Sequence, residues 1–140
     1  MRLSRVGFDK VLGHLEGGIA AWKAAGKEVD SITSVSAEEF ADLAKSGEVR
    51  VFDVRKPGEY ASEHVIDAES IPLAALNEHL ATIPKDAPFY LHCLSGYRSL
   101  IAGSILKARG YHNGIDVRGG FEAIKTTDAP ISDWVCPSTL

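Results

Sequence analysis

An α/β domain with a mostly parallel central sheet and helices on both faces is what these 140 residues predict. Three observations carry that expectation. Residues 50–54, with Val-Phe-Asp-Val at their heart, and residues 89–92 after Pro88 are short β-branched and aromatic runs that read as buried strands. Segments with helical spacing alternate with these runs. The length also suits one domain with a core of its own.

In chain order, Ser36 with Glu39 makes a capping box, and Phe40, Leu43 and Ala44 follow at helical spacing until Gly47 closes the helix. The strand 50–54 comes next. Residues 76–82 are expected to form a helix ended by Pro84, before the second strand at 89–92. Leu100, Ile101, Ile105, Leu106 and Ala108 line a further helix that stops at Gly110, and residues 115–117 form a last short strand.

An internal repeat lies across this order. Residues 7–22, GFDKVLGHLEGGIAAW, align with residues 110–124, GYHNGIDVRGGFEAI: each has Gly-aromatic, a short apolar stretch, Gly-Gly and a helical pattern. The two Gly-Gly pairs are a small domain's length apart. Residues 1–27 are therefore expected to be the remnant of a preceding repeat, 32–127 a complete domain, and 128–140 a C-terminal tail.

Composition narrows the function. A net charge of −4 argues against a nucleic-acid or anionic-membrane binder, which needs a basic face. No run of apolar residues is long enough to span a membrane, and the N-terminus has no secretory h-region, so a cytoplasmic location is expected. Two cysteines, Cys93 and Cys136, are too few for a disulfide scaffold or a four-cysteine zinc site. No metal or organic cofactor is called for, and the oligomeric state is left open.

Ligands in a parallel sheet bind beyond the carboxyl ends of its strands, which directs attention to the residues after 89–92. These are Cys93, Leu94, Ser95, Gly96, Tyr97 and Arg98, directly before a helix. A thiol there lies near unpaired helix-start amides and the positive end of the helix dipole, both of which favour the thiolate. The same amides can cradle an anion, and Arg98 can clamp an oxyanion through its planar fork. Arginine at a helix start is itself out of place unless an anion sits there. Cys93 is thus read as a nucleophile rather than a buried small hydrophobe, with residues 94–98 as the substrate-binding loop. His92 alternates to the other face of its strand and is read as structural.

The segment resembles the active-site loop of the rhodanese, or sulfurtransferase, family. Val51-Phe52-Asp53-Val54-Arg55, Pro57, Glu59-Tyr60, His64 and Ile71-Pro72 are similar to the family's aspartate-valine-arginine strand and its continuation, and Gly119-Gly120 completes the order. Leu15-Glu16-Gly17-Gly18-Ile19-Ala20-Ala21-Trp22 resembles the end of another such unit, as in a tandem-rhodanese chain. The resemblance implies a rhodanese-like three-layer fold and a sulfane-sulfur transfer through a Cys93 persulfide, with thiosulfate or a persulfide as donor and a thiol or cyanide as acceptor. It further implies that Asp53 and Arg55 support the loop through a buried ion pair, and it adds a metallo-hydrolase domain of the parent chain as a candidate partner.

Two features depart from the family. Residues 65–70 lack the usual Gly- and Pro-containing turn after His64, and Ile124-Lys125 stands where the last helix normally carries an aromatic. Cys136 is read as a mobile spectator thiol. Two other readings compete with sulfur transfer: a cysteine-dependent phosphatase or arsenate reductase, and a non-catalytic regulatory module. A phosphatase loop carries one residue more than the four that separate Cys93 from Arg98, and an inactive copy commonly lacks the cysteine.

Overall fold

The computed structural model describes residues 10–139, so the first part of the expected repeat, including Gly7-Phe8, and Leu140 lie outside the described residues. The chain divides after Ser31 into two units.

The first unit is built on one short helix, α1 (Gly18–Ala24). Gly17 caps it at φ +79°, a left-handed conformation that costs glycine nothing, and the Gly18 amide donates to the Leu15 carbonyl at 3.0 Å. The Trp22 indole N–H donates to the Glu28 carbonyl at 2.7 Å and folds the exit of the helix back on itself.

The second unit, from Ile32 onward, contains β1 (Thr33–Val35), α2 (Ala37–Ser46), β2 (Val51–Asp53), α3 (Pro57–Ser62) and β3 (Glu69–Ser70). A 3₁₀ segment (Leu73–Thr82), β4 (Phe89–His92), α4 (Tyr97–Ala108), β5 (Gly114–Val117) and α5 (Gly120–Ile124) follow. All strands run parallel in the order β1-β5-β4-β2-β3, which places β4 at the centre.

Strand alternation divides the core into two layers. Val51, Tyr90 and Val117 face Phe40 of α2 and Phe121 and Ile124 of α5, while Phe52, Phe89 and Leu91 face Leu76 of the 3₁₀ segment and Ala102 and Leu106 of α4. Ile124 is fully buried in the first layer, filling the place where the family carries an aromatic.

Local chemistry accounts for most of the element ends. The Ser36–Glu39 capping box forms in both directions, and Gly47 closes α2 at φ +70°. The helix expected over residues 76–82 is part of a longer 3₁₀ segment that begins at Leu73. Its N-cap, Pro72, offers no side-chain cap, and Leu73 and Leu76 meet the core at the i, i+3 spacing that a 3₁₀ turn superimposes. After His64 the turn survives without glycine because Asp67 adopts φ +64°, a conformation aspartate tolerates better than most residues.

The first part of the tail is bonded to the segment that follows α3. Ile131 pairs antiparallel with Val65; the Ile66 amide donates to Pro130, the Ser132 amide to His64 and the Val135 amide to Ser62, at 2.9, 2.8 and 2.8 Å. The reason is that the 62–66 segment has backbone groups that α3 and β3 leave unpaired.

Candidate active site

β4 delivers its last side chains to a loop that becomes α4 within a few residues. Cys93 is 1% exposed and packs in the α4-side layer beside Val54 and Ala102. Gly96 caps α4 at φ +103°, which lets the chain reverse and point the Gly96 amide back at Cys93 Sγ, 3.1 Å away. The Ser99 hydroxyl, from the first turn of α4, lies 3.6 Å from the same sulfur and 3.2 Å from the Gly96 carbonyl. The sulfur therefore sits at the helix start with two hydrogen-bond donors aimed at it.

The back of the loop is held by α5. The Phe121 amide donates to the Cys93 carbonyl at 2.7 Å and the Glu122 amide to the Leu94 carbonyl at 2.9 Å. These amides are among the orphan donors of a helix start, so two otherwise unpaired sets of groups satisfy each other. The approach requires glycine: a Cβ on Gly120 would lie 2.6 Å from both the Cys93 and Leu94 carbonyl oxygens.

Arg98 is engaged within the chain. Its two terminal nitrogens meet the two carboxylate oxygens of Glu59 at 2.7 and 3.0 Å, a fork-to-fork pair that joins α4 to α3. The arginine holds the Glu59 carboxyl below its ordinary value and is itself raised. Glu59 also accepts from the Lys56 amide at 3.0 Å, so one side chain caps α3 and anchors the loop arginine. End-on pairing leaves three of the five guanidinium N–H groups of Arg98 for other acceptors.

Asp53 and Arg55 lie across the sheet from the sulfur. Asp53 accepts from the Arg55 amide at 2.9 Å and from its guanidinium at 2.6–3.0 Å, both side chains being buried. The guanidinium donates further to the Glu63 carbonyl at 2.7 Å and sits 4.1 Å above the Phe121 ring. His92 stacks on Phe121, with ring centroids 5.9 Å apart, and its Nδ1 donates to the Cys93 carbonyl at 3.2 Å. Burial pushes the imidazole below its ordinary value, outweighing the Asp53 carboxylate 3.9 Å away that favours the charged ring. Asp53, Arg55 and His92 thus support Phe121 and the loop carbonyl without touching the sulfur.

The remaining loop residues, Leu94, Ser95 and Tyr97, are exposed at the rim. Cys136 is half-exposed in the tail, where the Ser138 hydroxyl at 2.9 Å lowers its thiol below the ordinary range. Among the described residues, no cluster of three His, Cys, Asp or Glu side chains could hold a metal ion, and no helix is long and apolar enough to cross a membrane. Sequence reading assigned no role to Glu59 or Ser99. Ser99 carried a positional signal, directly after Arg98 on the first turn of the helix, and Glu59 one as part of the family-like stretch after Arg55.

The rhodanese-like domain family matches residues 36–127, from the α2 cap to just past the end of α5. The chain belongs to this family. A sulfurtransferase of Allochromatium vinosum is 34% identical to this chain over 89 residues, covering 64% of this chain and 83% of that protein. A thiosulfate sulfurtransferase of Coxiella burnetii is 29% identical over 92 residues, covering 66% and 85%. Among solved structures, a rhodanese-related protein from Thermoplasma volcanium superposes with a TM-score of 0.64 at 27% identity, covering 71% of this chain and 97% of that one.

Proposed function

We propose that the protein is a sulfurtransferase that carries a sulfane sulfur on Cys93. The observation that carries this reading is the sulfur at the mouth of α4, with the Gly96 amide and the Ser99 hydroxyl directed at it. Family membership and the names of the two similar sulfurtransferases support it.

The Cys93 thiolate attacks the outer sulfur of thiosulfate; the sulfur–sulfur bond of the donor breaks, sulfite leaves with its electron pair, and a persulfide remains on Cys93. The loop amides of residues 94–98 stabilise the negative charge, and the uncommitted N–H groups of Arg98 hold the oxyanion end of the donor. An acceptor thiolate or cyanide then attacks the outer persulfide sulfur, and the electron pair of the broken bond returns to Cys93. Asp53 and Arg55 act at a distance by fixing Phe121, whose amide holds the loop. Reduced thiols fit a cytoplasmic setting.

Intact-protein mass after incubation with thiosulfate tests the reading. The expected result is a gain of one sulfur atom in the parent protein and in Cys136→Ser, and none in Cys93→Ser. A sulfur gain that survives Cys93→Ser overturns the mechanism. We further propose that residues 1–27 are the tail of a preceding rhodanese-like copy, a reading supported by matching turns at Gly17-Gly18 and Gly119-Gly120.

A further inference from the structure

A cation at the start of a helix is favoured only with an anion beside it, and at α4 the chain supplies that anion itself. Both carboxylate oxygens of Glu59 meet the Arg98 guanidinium, at 2.7 and 3.0 Å, so the arginine that an oxyanion donor would use is already charge-paired. The pair stands at the mouth of the site. Arg98 lies in sequence between Gly96 and Ser99, the two residues whose donors reach Cys93 Sγ, and its side chain is 26% exposed. Glu59 is fixed as well: the Lys56 amide donates to its Oε2, the oxygen that Arg98 Nη1 also uses, so the carboxylate cannot swing away without breaking the α3 cap.

We propose that Glu59 sets the charge class of the sulfur donor, disfavouring dianionic thiosulfate and suiting the site to the organic persulfide of a small thiol. The inference rests on the sulfur-transfer reading, which requires some donor, and names its class. Thiosulfate still loads Cys93, but both of its charges approach a carboxylate that a persulfide meets with at most one charge on its sulfurs.

Three observations support it. Within residues 94–98, Arg98 is the one charged side chain, so the loop holds no second cation to offset Glu59. Glu122, whose amide donates to the Leu94 carbonyl at 2.9 Å, brings another carboxylate residue beside the loop. The rim is otherwise apolar: Leu94, Tyr97 and Leu100 are 37%, 41% and 45% exposed, and Tyr97 and Leu100 share one face of α4 at i, i+3 spacing. Such a rim can cover the carbon chain of an organic persulfide and offers nothing to a sulfite group. Glu59 foremost, and Cys93 more weakly, also hold the guanidinium in its charged form, so carboxylate and sulfur draw on the same cation.

The transfer balances. The Cys93 thiolate attacks the outer sulfur of R–S–SH, the sulfur–sulfur bond of the donor breaks, R–S⁻ leaves with the electron pair, and the outer sulfur stays on Cys93 with its proton.

The test is the initial rate of sulfur gain on Cys93, read by intact-protein mass in a Cys136→Ser background, with thiosulfate and with cysteine persulfide as donors. Each variant is compared with its parent for the same donor, so the intrinsic reactivity of the donor cancels. Glu59→Gln keeps an acceptor for Arg98 and Lys56 and removes the charge. It is expected to raise the thiosulfate rate about fivefold and to change the cysteine persulfide rate by less than about twofold. An unchanged thiosulfate rate, or rates that rise or fall together for the two donors, overturns the inference, the joint fall being what a merely structural role of Glu59 produces. Thermal melting checks the fold. If Glu59→Gln does not fold, Leu94→Lys decides, because it adds a cation at an exposed position: a selective gain with thiosulfate supports the inference and no gain overturns it. Sulfur gain from neither donor in the parent defeats the sulfur-transfer reading and this inference with it, whereas gain from both at a donor ratio that Glu59→Gln leaves unaltered defeats this inference alone.

Discussion

Two Gly-Gly turns in this chain share a backbone and differ in what they touch. Gly17 and Gly119 both sit at φ +79°, and Gly18 and Gly120 at φ +58° and +60°, each pair starting a short helix. A Cβ on the first glycine would strike the alanine four residues on in both cases, Ala21 at 2.9 Å and Ala123 at 2.6 Å. The second glycines part company. Gly18 has nothing within 4 Å of a built Cβ, whereas Gly120 abuts the Cys93 and Leu94 carbonyls. The turn is thus a local property of the sequence, and its use as a loop anchor is a property of the sheet beside it.

The largest expected effect comes from testing that difference directly. Gly120→Ala combines a left-handed alanine with a backbone collision, and it is expected to cost about 3 kcal/mol or more in chemical denaturation and to abolish sulfur uptake at Cys93. Gly18→Ala carries the conformational term alone, about 1–2 kcal/mol, confined to the first unit, with sulfur uptake retained. Equal loss of sulfur uptake in the two variants would break the comparison.

The residues after each pair sharpen it. Ile19 is 64% exposed and its counterpart Phe121 is 3% exposed. Phe121→Ala is expected to lower stability by about 3–4 kcal/mol and to release Arg55 and His92 from their stacking partner, while Ile19→Ala stays within about 0.5 kcal/mol. Denaturant midpoints of the two variants check this.

The far side of the Cys93 loop is anchored by charge instead of by backbone. Glu59→Gln is expected to cost under about 1 kcal/mol, because the pair with Arg98 is half-buried and solvent-screened. Glu59 has its folded value below its unfolded one, so the pair's contribution is complete above the ordinary carboxylate range and is lost as pH falls through the lowered value. Stability curves of parent and variant should therefore converge in acid. A gap that persists below that range would assign the effect to packing.

The smallest effect is expected from deleting residues 1–31. Sulfur uptake at Cys93 should persist, and a folded but inactive product would tie the first unit to the chemistry.

How much of this was legible in the sequence depended on whether the cause was local. The Ser36–Glu39 box, the strand at Phe89–His92 and the Gly47 stop each follow from neighbouring residues, and each stands where the pattern puts it. Strands Thr33–Val35 and Glu69–Ser70 went unread because they are short edge strands, defined by pairing with β5 and β2 rather than by apolar runs of their own. The same limit explains the site. Cys93 and Arg98 share one segment, but Glu59 lies 39 residues from Arg98, so only the folded chain brings it to the loop.

The stitches between residues 62–66 and 130–135 carry a consequence for the order in which the molecule forms. The His64 amide donates to the Ser132 hydroxyl across 68 residues of chain. During synthesis every strand of the sheet emerges before Ile131, yet Val65, fully buried in the finished structure, must wait for Ile131 to pair beside it. The clasp is therefore unavailable to a nascent chain until every strand of the sheet has been made, so it closes on a sheet whose residues are already complete.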